Sequence, residues 1–191
     1  MGKYFEVRWH GRGGQGAVTG AKSLAEAVQG TGKFVSAFPD YGPERRGAPV
    51  RAYDRFSDTK IRTHVPVLTP DVIIVVDPTL IGSDDLLIGV TGETTFIVNT
   101  EKSAGDIMPR LGLDDHPLVT VPANIISQKL FGRPIPNSAL MGAFSRAFPS
   151  IIVLDDLLRE ARHVFAHLLA ADVVEKNLEA IQRGHDEART A

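Results

Sequence analysis

Gly11, Gly13 and Gly16 stand at the spacing G-x-G-x-x-G in the stretch WHGRGGQGAVTG, residues 9–20. Between a strand and a helix, that spacing can seat a dinucleotide. The first glycine permits a tight turn, the second lets the backbone approach a pyrophosphate, and the third lets the helix pack closely. A dinucleotide site also needs an acid near the end of the second strand to hold the ribose hydroxyls, and Asp40 stands near that place. Two other uses of the same residues stay open. The glycines can simply turn the chain. Alternatively, the free N–H groups of a helix start, with Gly14 in the loop and Arg12 and Gln15 beside it, can face an anionic ligand or a partner chain.

A second stretch carries chemistry. AFPDYGPERRGAPVRAY, residues 37–53, holds Tyr41, Gly42, Glu44, Arg45, Arg46 and Gly47 in one loop. Glycines and prolines restrict its backbone while its charges project. A guanidinium fork suits a phosphate or a carboxylate, so Arg12, Arg45 and Arg46 are the residues expected to meet one. A solvated loop with local ion pairs is the plainer account of the charges. This loop leaves the second strand at the same sheet end as the glycine loop, and that end is where sites form in α/β sheets. Other candidates read as structure. His163 and His167 are four apart on a helix, which is metal-ligand spacing. No glutamate adjoins His163 and no third ligand stands out, so they read as exposed helix residues and no metal site is expected. His10 reads as a packed residue bonded to backbone, and Asp77 as a cap for the segment that follows it or, alternatively, as a residue facing the site.

The elements that must position these residues follow from periodicity. Tyr4–Trp9 reads as a strand leading into the glycine loop. Ala17, Val18, Ala21, Leu24, Ala25 and Val28 recur at helical spacing, and Gly30 and Gly32 stop that helix. Lys33–Phe38 reads as the second strand, and Val50–Phe56 as an alternating strand with Lys60–His64 as its hairpin partner. DVIIVVD (71–77), TTFIVN (94–99) and PLVTVP (117–122) are aliphatic runs of the kind buried on both faces of a parallel sheet. From about Asn137 the pattern is all helix: Ala139–Phe148, Leu154–Leu169 and Ala171–Arg183. The predicted fold class is α/β, with a three-layer, mainly parallel (mixed) sheet and a helical C-terminal end. One domain is expected over residues 1–191, with an α/β core over about 1–135 and a helical part over about 136–191.

Composition narrows the function. The chain has 191 residues, 43% of them apolar, which is enough to bury a core without staples. A formal net charge of −2 gives no global field that favours nucleic acid or an anionic membrane. The absence of cysteine excludes disulfides, thiolate chemistry and cysteine-ligated iron–sulfur clusters in this chain. MGKYFEVRWH carries no signal-peptide core, and the longest aliphatic run, Val72–Val76, is too short to span a bilayer. The expected location is cytoplasmic.

Taken together, RWHGRGGQGAVT, AFPDYGPERRGAPVRAY, PDVIIVVDPTL, IPNSALMGAF and EKNLEAIQRGHDEA resemble the gamma subunit of the 2-oxoacid:ferredoxin oxidoreductases, over nearly the whole chain. The pyruvate and aryl-oxoacid (phenylglyoxylate) branches fit best. The resemblance implies a complex that makes acyl-CoA and carbon dioxide from a 2-oxoacid and coenzyme A. It implies thiamine diphosphate with Mg2+ between alpha and beta subunits, and 4Fe-4S clusters on beta or delta subunits. The electron acceptor would be ferredoxin or an NAD-linked flavoprotein subunit. The chain itself shows no GDG…NN segment for the diphosphate and no cysteine for a cluster. It is therefore expected to be an assembly and lining subunit, inactive alone and with no catalytic residue. Gly11, Arg12, Gly13, Gly14, Gln15, Gly16, Tyr41, Gly42, Glu44, Arg45, Arg46 and Gly47 form the expected cofactor-binding or partner-facing surface. The rival reading is a self-contained NAD(P)-binding reductase of the Rossmann type, which would bind dinucleotide without partner chains.

Overall fold

In a computed structural model of the chain, residues 4–40, 47–113 and 115–190 are described. Their elements are β1 (Phe5–Arg12), α1 (Ala17–Gly30), β2 (Phe34–Asp40), β3 (Pro49–Ser57), β4 (Val72–Val75), α2 (Asp84–Leu87), β5 (Thr95–Asn99), α3 (Ala104–Leu111), β6 (Leu118–Val121), α4 (Ala123–Phe131), α5 (Asn137–Ala147), α6 (Leu154–Ala166), α7 (Ala171–Glu187) and β7 (Arg189–Thr190). A 3-10 turn at Pro78–Leu80 follows β4.

The strands form one sheet in the order β2-β3-β1-β4-β5-β6-β7. β1, β4, β5 and β6 run parallel to their neighbours in that series. β3 is antiparallel to both β1 and β2, and β7 is antiparallel to β6.

The aliphatic run of β4 shows why the sheet has two covered faces. Successive side chains on a strand point to opposite sides. Val72 and Ile74 join Val7, Trp9, Ile97 and Val121 in a core that α1 and α4 to α7 cover, with Leu24, Ile126, Phe144, Leu157 and Ile181 facing them. Ile73 and Val75 join Phe96, Val98 and Leu118 in a second core, beneath Leu86 of α2 and Ile107 and Leu111 of α3. The result is the three-layer α/β arrangement.

Three sequence expectations change. Lys60–His64 forms no strand, because both hydrogen-bonding edges of β3 are already taken by β1 and β2. The last helix runs to Glu187, and the chain then returns to the sheet as β7, so the C-terminal part is not purely helical. The helix expected over Leu154–Leu169 ends at Ala166, where the Leu168 and Leu169 N–H groups both turn back to the Phe165 carbonyl. No helix among the described residues is long and apolar enough to cross a membrane.

Candidate functional site

The site begins at the carboxyl end of β1. Gly11 is the last-but-one residue of that strand and lies opposite Val50 of β3. A Cβ on it would come 3.0 Å from the Ala17 Cβ and 3.3 Å from the Val76 Cβ, so strand and helix meet here at glycine distance. Gly16 is the N-cap residue of α1, with φ of 85° in the left-handed region. It offers no side chain to the helix start, and the first turn of α1 carries no acid. The first N–H groups of α1 therefore point outward without a partner from their own cap.

Behind this turn, three side chains tie into a knot. The Arg12 backbone N–H donates to Gln15 Oε1 at 2.7 Å, and Gln15 Nε2 donates to Asp77 Oδ2 at 2.9 Å. Arg12 Nε lies 3.0 Å from the same carboxylate oxygen. Asp77 also accepts from the Thr79 N–H at 2.9 Å, so it caps the 3-10 turn and faces the glycine loop at once. Burial alone would raise its pKa, but the hydrogen bonds from Thr79 and Gln15 and the Arg12 charge outweigh burial and hold it below the usual carboxylate range. The Arg12 guanidinium reaches further, to the Thr79 hydroxyl at 3.2 Å and the Gly47 carbonyl at 3.3 Å. The Gly13 N–H donates to the Ala48 carbonyl at 3.1 Å. Thus Arg12 couples the glycine loop, the turn after β4 and the start of β3.

Beside the knot lies a polar face built from β1, β2 and β3. Arg8 is 2% exposed and donates from Nε to His10 Nε2 at 2.9 Å, and from Nη2 to the Ile88 carbonyl at 2.8 Å. His10 is buried, and burial, followed by the Arg8 and Arg51 charges, pulls its pKa down to about 3. It is neutral and accepts from a side chain, not from backbone as the sequence suggested. Arg51 bridges Asp85 at 3.0 Å and Asp40 at 3.2 Å. Tyr53 donates its hydroxyl to Asp40 at 2.8 Å, and burial, with that bond, pushes its pKa up to about 12.

This placement bears on the dinucleotide reading. Asp40 ends β2, but β3 stands between β2 and β1. Its carboxylate is one strand further from the glycine turn than a ribose contact requires, and it is already engaged by Tyr53 and Arg51.

Between the α1 start and the start of α5 opens a groove of about 520 Å³. Gly13, Gly14 and Gly16 form one side, with Arg12 at its edge, and Arg133 and Asn137 form the other. Arg133 and Asn137 were missed as chemistry-bearing residues in the sequence, although IPNSALMGAF stood out as a motif. Of the residues expected here, Gly11, Arg12, Gly13, Gly14, Gln15, Gly16 and Gly47 are brought together. Tyr41, Gly42, Glu44, Arg45 and Arg46 lie outside the described residues. His163 on α6 and His167 just beyond it are exposed, and neither lines the groove. Among the described residues no three His, Cys, Asp or Glu side chains are grouped to hold a metal ion. Without cysteine the donor set does not fit a cysteine-ligated iron–sulfur cluster.

An open α/β sheet with a glycine turn and a groove at the carboxyl end of its first strand is an architecture in which sites commonly form at that end. Comparison with known proteins narrows that architecture to one family. The pyruvate ferredoxin/flavodoxin oxidoreductase family matches residues 6–187, and this chain belongs to that family. It is 39% identical to the common gamma subunit of the pyruvate/ketoisovalerate oxidoreductases of Pyrococcus furiosus, over 95% of each chain. The crystal structure of pyruvate oxidoreductase subunit PORC from Thermotoga maritima superposes with a TM-score of 0.86 at 35% identity, covering 100% of this chain and 99% of that one. The 2-oxoglutarate:ferredoxin oxidoreductase of Magnetococcus marinus shares the fold, with a TM-score of 0.74 at 20% identity over 97% of this chain and 31% of its own.

Proposed function

We propose that this chain is the gamma subunit of a cytoplasmic, multi-subunit oxidoreductase that converts a 2-oxoacid and coenzyme A to acyl-CoA and carbon dioxide. The observation that carries the proposal is the match along the whole chain to relatives of equal length named as gamma subunits of pyruvate and ketoisovalerate oxidoreductases. Those names favour pyruvate and branched 2-oxoacids over aryl-oxoacids as substrates. Thiamine diphosphate, held by partner subunits, supplies the carbanion chemistry. Any clusters that carry electrons toward ferredoxin would be held by other subunits, because this chain has no cysteine to ligate one.

This chain's own residues then do positioning work. The Arg12–Gln15–Asp77 knot fixes the glycine loop, and the uncapped start of α1 with Arg133 offers positive potential along the groove. The groove serves as the surface that meets coenzyme A or a partner carboxylate. Co-expression with the alpha, beta and delta subunits tests the reading. Complexes that contain the chain are expected to reduce ferredoxin in a reaction dependent on pyruvate and coenzyme A, and complexes made without it are expected to lose that activity. Full activity from alpha, beta and delta subunits alone would overturn the proposal.

A further inference from the structure

Asp54 of β3 is a carboxyl group inside an apolar core. It is 0% exposed and lies on the sheet face that α1 covers, between Ala52 and Phe56 of the same core. Its Oδ2 accepts from the Trp9 indole Nε1 at 2.8 Å. Its Oδ1 is buried and has no hydrogen-bond partner among the described residues. Burial raises the pKa of Asp54 well above the usual range, and only the indole bond opposes that rise. Burial in such a place favours the protonated form of the group over the charged one.

The partner of that acid is itself wedged. Trp9 is 0% exposed. A Cβ placed on Gly20 of α1 would lie 2.9 Å from Trp9 Cζ3 and 3.2 Å from Cη2. The same atom would lie 3.2 Å from the Asn137 Cβ, and the Asn137 amide in turn sits 3.4 Å from where a Cβ on Gly16 would be. A continuous line of contact therefore runs from Asp54 through Trp9, Gly20 and Asn137 to Gly16, which is to say from the core to the groove. An apolar residue at position 54 would leave the buried indole N–H unsatisfied, and the ring could recover a partner only by moving off its seat.

We infer that Asp54 is a positioning residue for the groove: its carboxyl group fixes the Trp9 indole, and the indole, seated on Gly20, sets the placement of the α1 start and of Asn137. The functional consequence rests on the reading of the groove as a binding surface, but the placement itself needs no ligand. Trp9 is the single tryptophan of the chain, so its indole gives one resonance in a 15N-labelled full-length sample.

Three variants decide the matter. Asp54→Asn keeps a neutral acceptor of the same size. It is expected to retain the slow indole exchange and the amide resonances of Ala17, Val18, Thr19 and Asn137. Asp54→Leu removes the acceptor. It is expected to speed indole exchange by about tenfold, the factor one ordinary hydrogen bond represents, and to shift those same amides. Gly20→Ala pushes the ring from the other side and is expected to shift the amides with Asp54 intact. The inference is overturned if Asp54→Leu leaves indole exchange and the four amides at their wild-type values. It is equally overturned if Asp54→Asn disturbs them as much as Asp54→Leu, since a charge and not an acceptor would then hold the ring. Should Asp54→Leu fail to fold, the pair Asp54→Asn and Gly20→Ala still decides: the first must preserve the four resonances and the second must move them. Because the measurement is made without ligand or partner, its failure is separable from failure of the proposed function.

Discussion

Gly142 of α5 and Gly184 of α7 sit where their helices cross, each against the other's backbone. A Cβ on Gly142 would overlap the Ile181 carbonyl and come 2.7 Å from the His185 nitrogen, and one on Gly184 would overlap the Ala139 carbonyl. Glycine at both positions lets the two helices approach more closely than any side chain allows. The contact also reaches the groove, because α5 begins at Asn137.

Gly142→Ala therefore forces the helices apart. Overpacking of this kind costs about 1–3 kcal/mol or more, which in a chain of this size lowers the melting midpoint by about 5 °C. Thermal unfolding of the full chain checks this, and an unchanged midpoint would contradict the close crossing. Gly30 is a useful control. The three atoms nearest a Cβ there all belong to the flexible Glu160 side chain and none to backbone, so Gly30→Ala is expected to cost less stability than Gly142→Ala.

His10 gives a pH dependence with a definite sign. Its folded pKa is about 3 against an ordinary 6.5. The unfolded chain therefore binds the proton first, and stability is full above pH 6.5 and falls as pH drops toward 3. From pH 7 to pH 4 that loss amounts to about 3 kcal/mol. Urea unfolding of the wild type and of His10→Gln at both pH values isolates the effect, since the carboxylates are common to both proteins. The wild type is expected to lose more stability on acidification than the variant. Equal losses would show that His10 is not held neutral by its surroundings.

The start of α1 makes a third prediction. Gly16 holds its φ of 85° where an L side chain is strained, and a bulky residue would also press on Asn137. Gly16→Val is expected to lower stability by about 1–3 kcal/mol. It should also reduce recovery of the assembled complex on size exclusion. A normal melting curve with normal complex recovery would contradict the role given to this turn.

Arg45 and Arg46 lie outside the described residues, and the sequence leads us to expect them to meet a phosphate or a partner carboxylate. Removing both from a buried interchain pair costs about 3–5 kcal/mol, so the double variant Arg45→Ala, Arg46→Ala is expected to lower complex yield in co-expression. A contact with coenzyme A would instead leave yield intact and raise the apparent KM for coenzyme A at least about tenfold. Wild-type yield and wild-type coenzyme A dependence together would mark the pair as a solvated feature of the loop.

Much of the fold was legible because its signals are local. The Val72–Val75 run announces a strand covered on both faces, and the apolar spacing of Ala17 to Val28 announces a helix with one buried side. The errors lie where tertiary pairing decides. Nothing within Lys60–His64 tells that β3 has no free edge, and nothing in Arg189–Thr190 tells that β6 has one. The site divides in the same way. Gly11 to Gly16 were readable as a turn and Asp77 as a cap or a site-facing residue, and it does both because β4 lies beside β1, whereas Asn137 reaches the site only because α5 packs on α1. Asp54 was hidden for a related reason. In an alternating strand an Asp-Arg pair suggests one residue in and one out, yet the sheet buries Asp54 and Arg55 on opposite faces.

The central claim, that this chain works as a subunit and not as a dinucleotide enzyme, is tested most directly by affinity purification of the tagged chain from cells that co-express the alpha, beta and delta subunits, with calorimetric titration of NAD(H) into the isolated chain. The account predicts a stoichiometric complex carrying all four subunits and no saturable NAD(H) binding by the chain alone. Recovery of the chain free of the other subunits, together with micromolar NAD(H) binding that Asp40→Ala weakens, would contradict it.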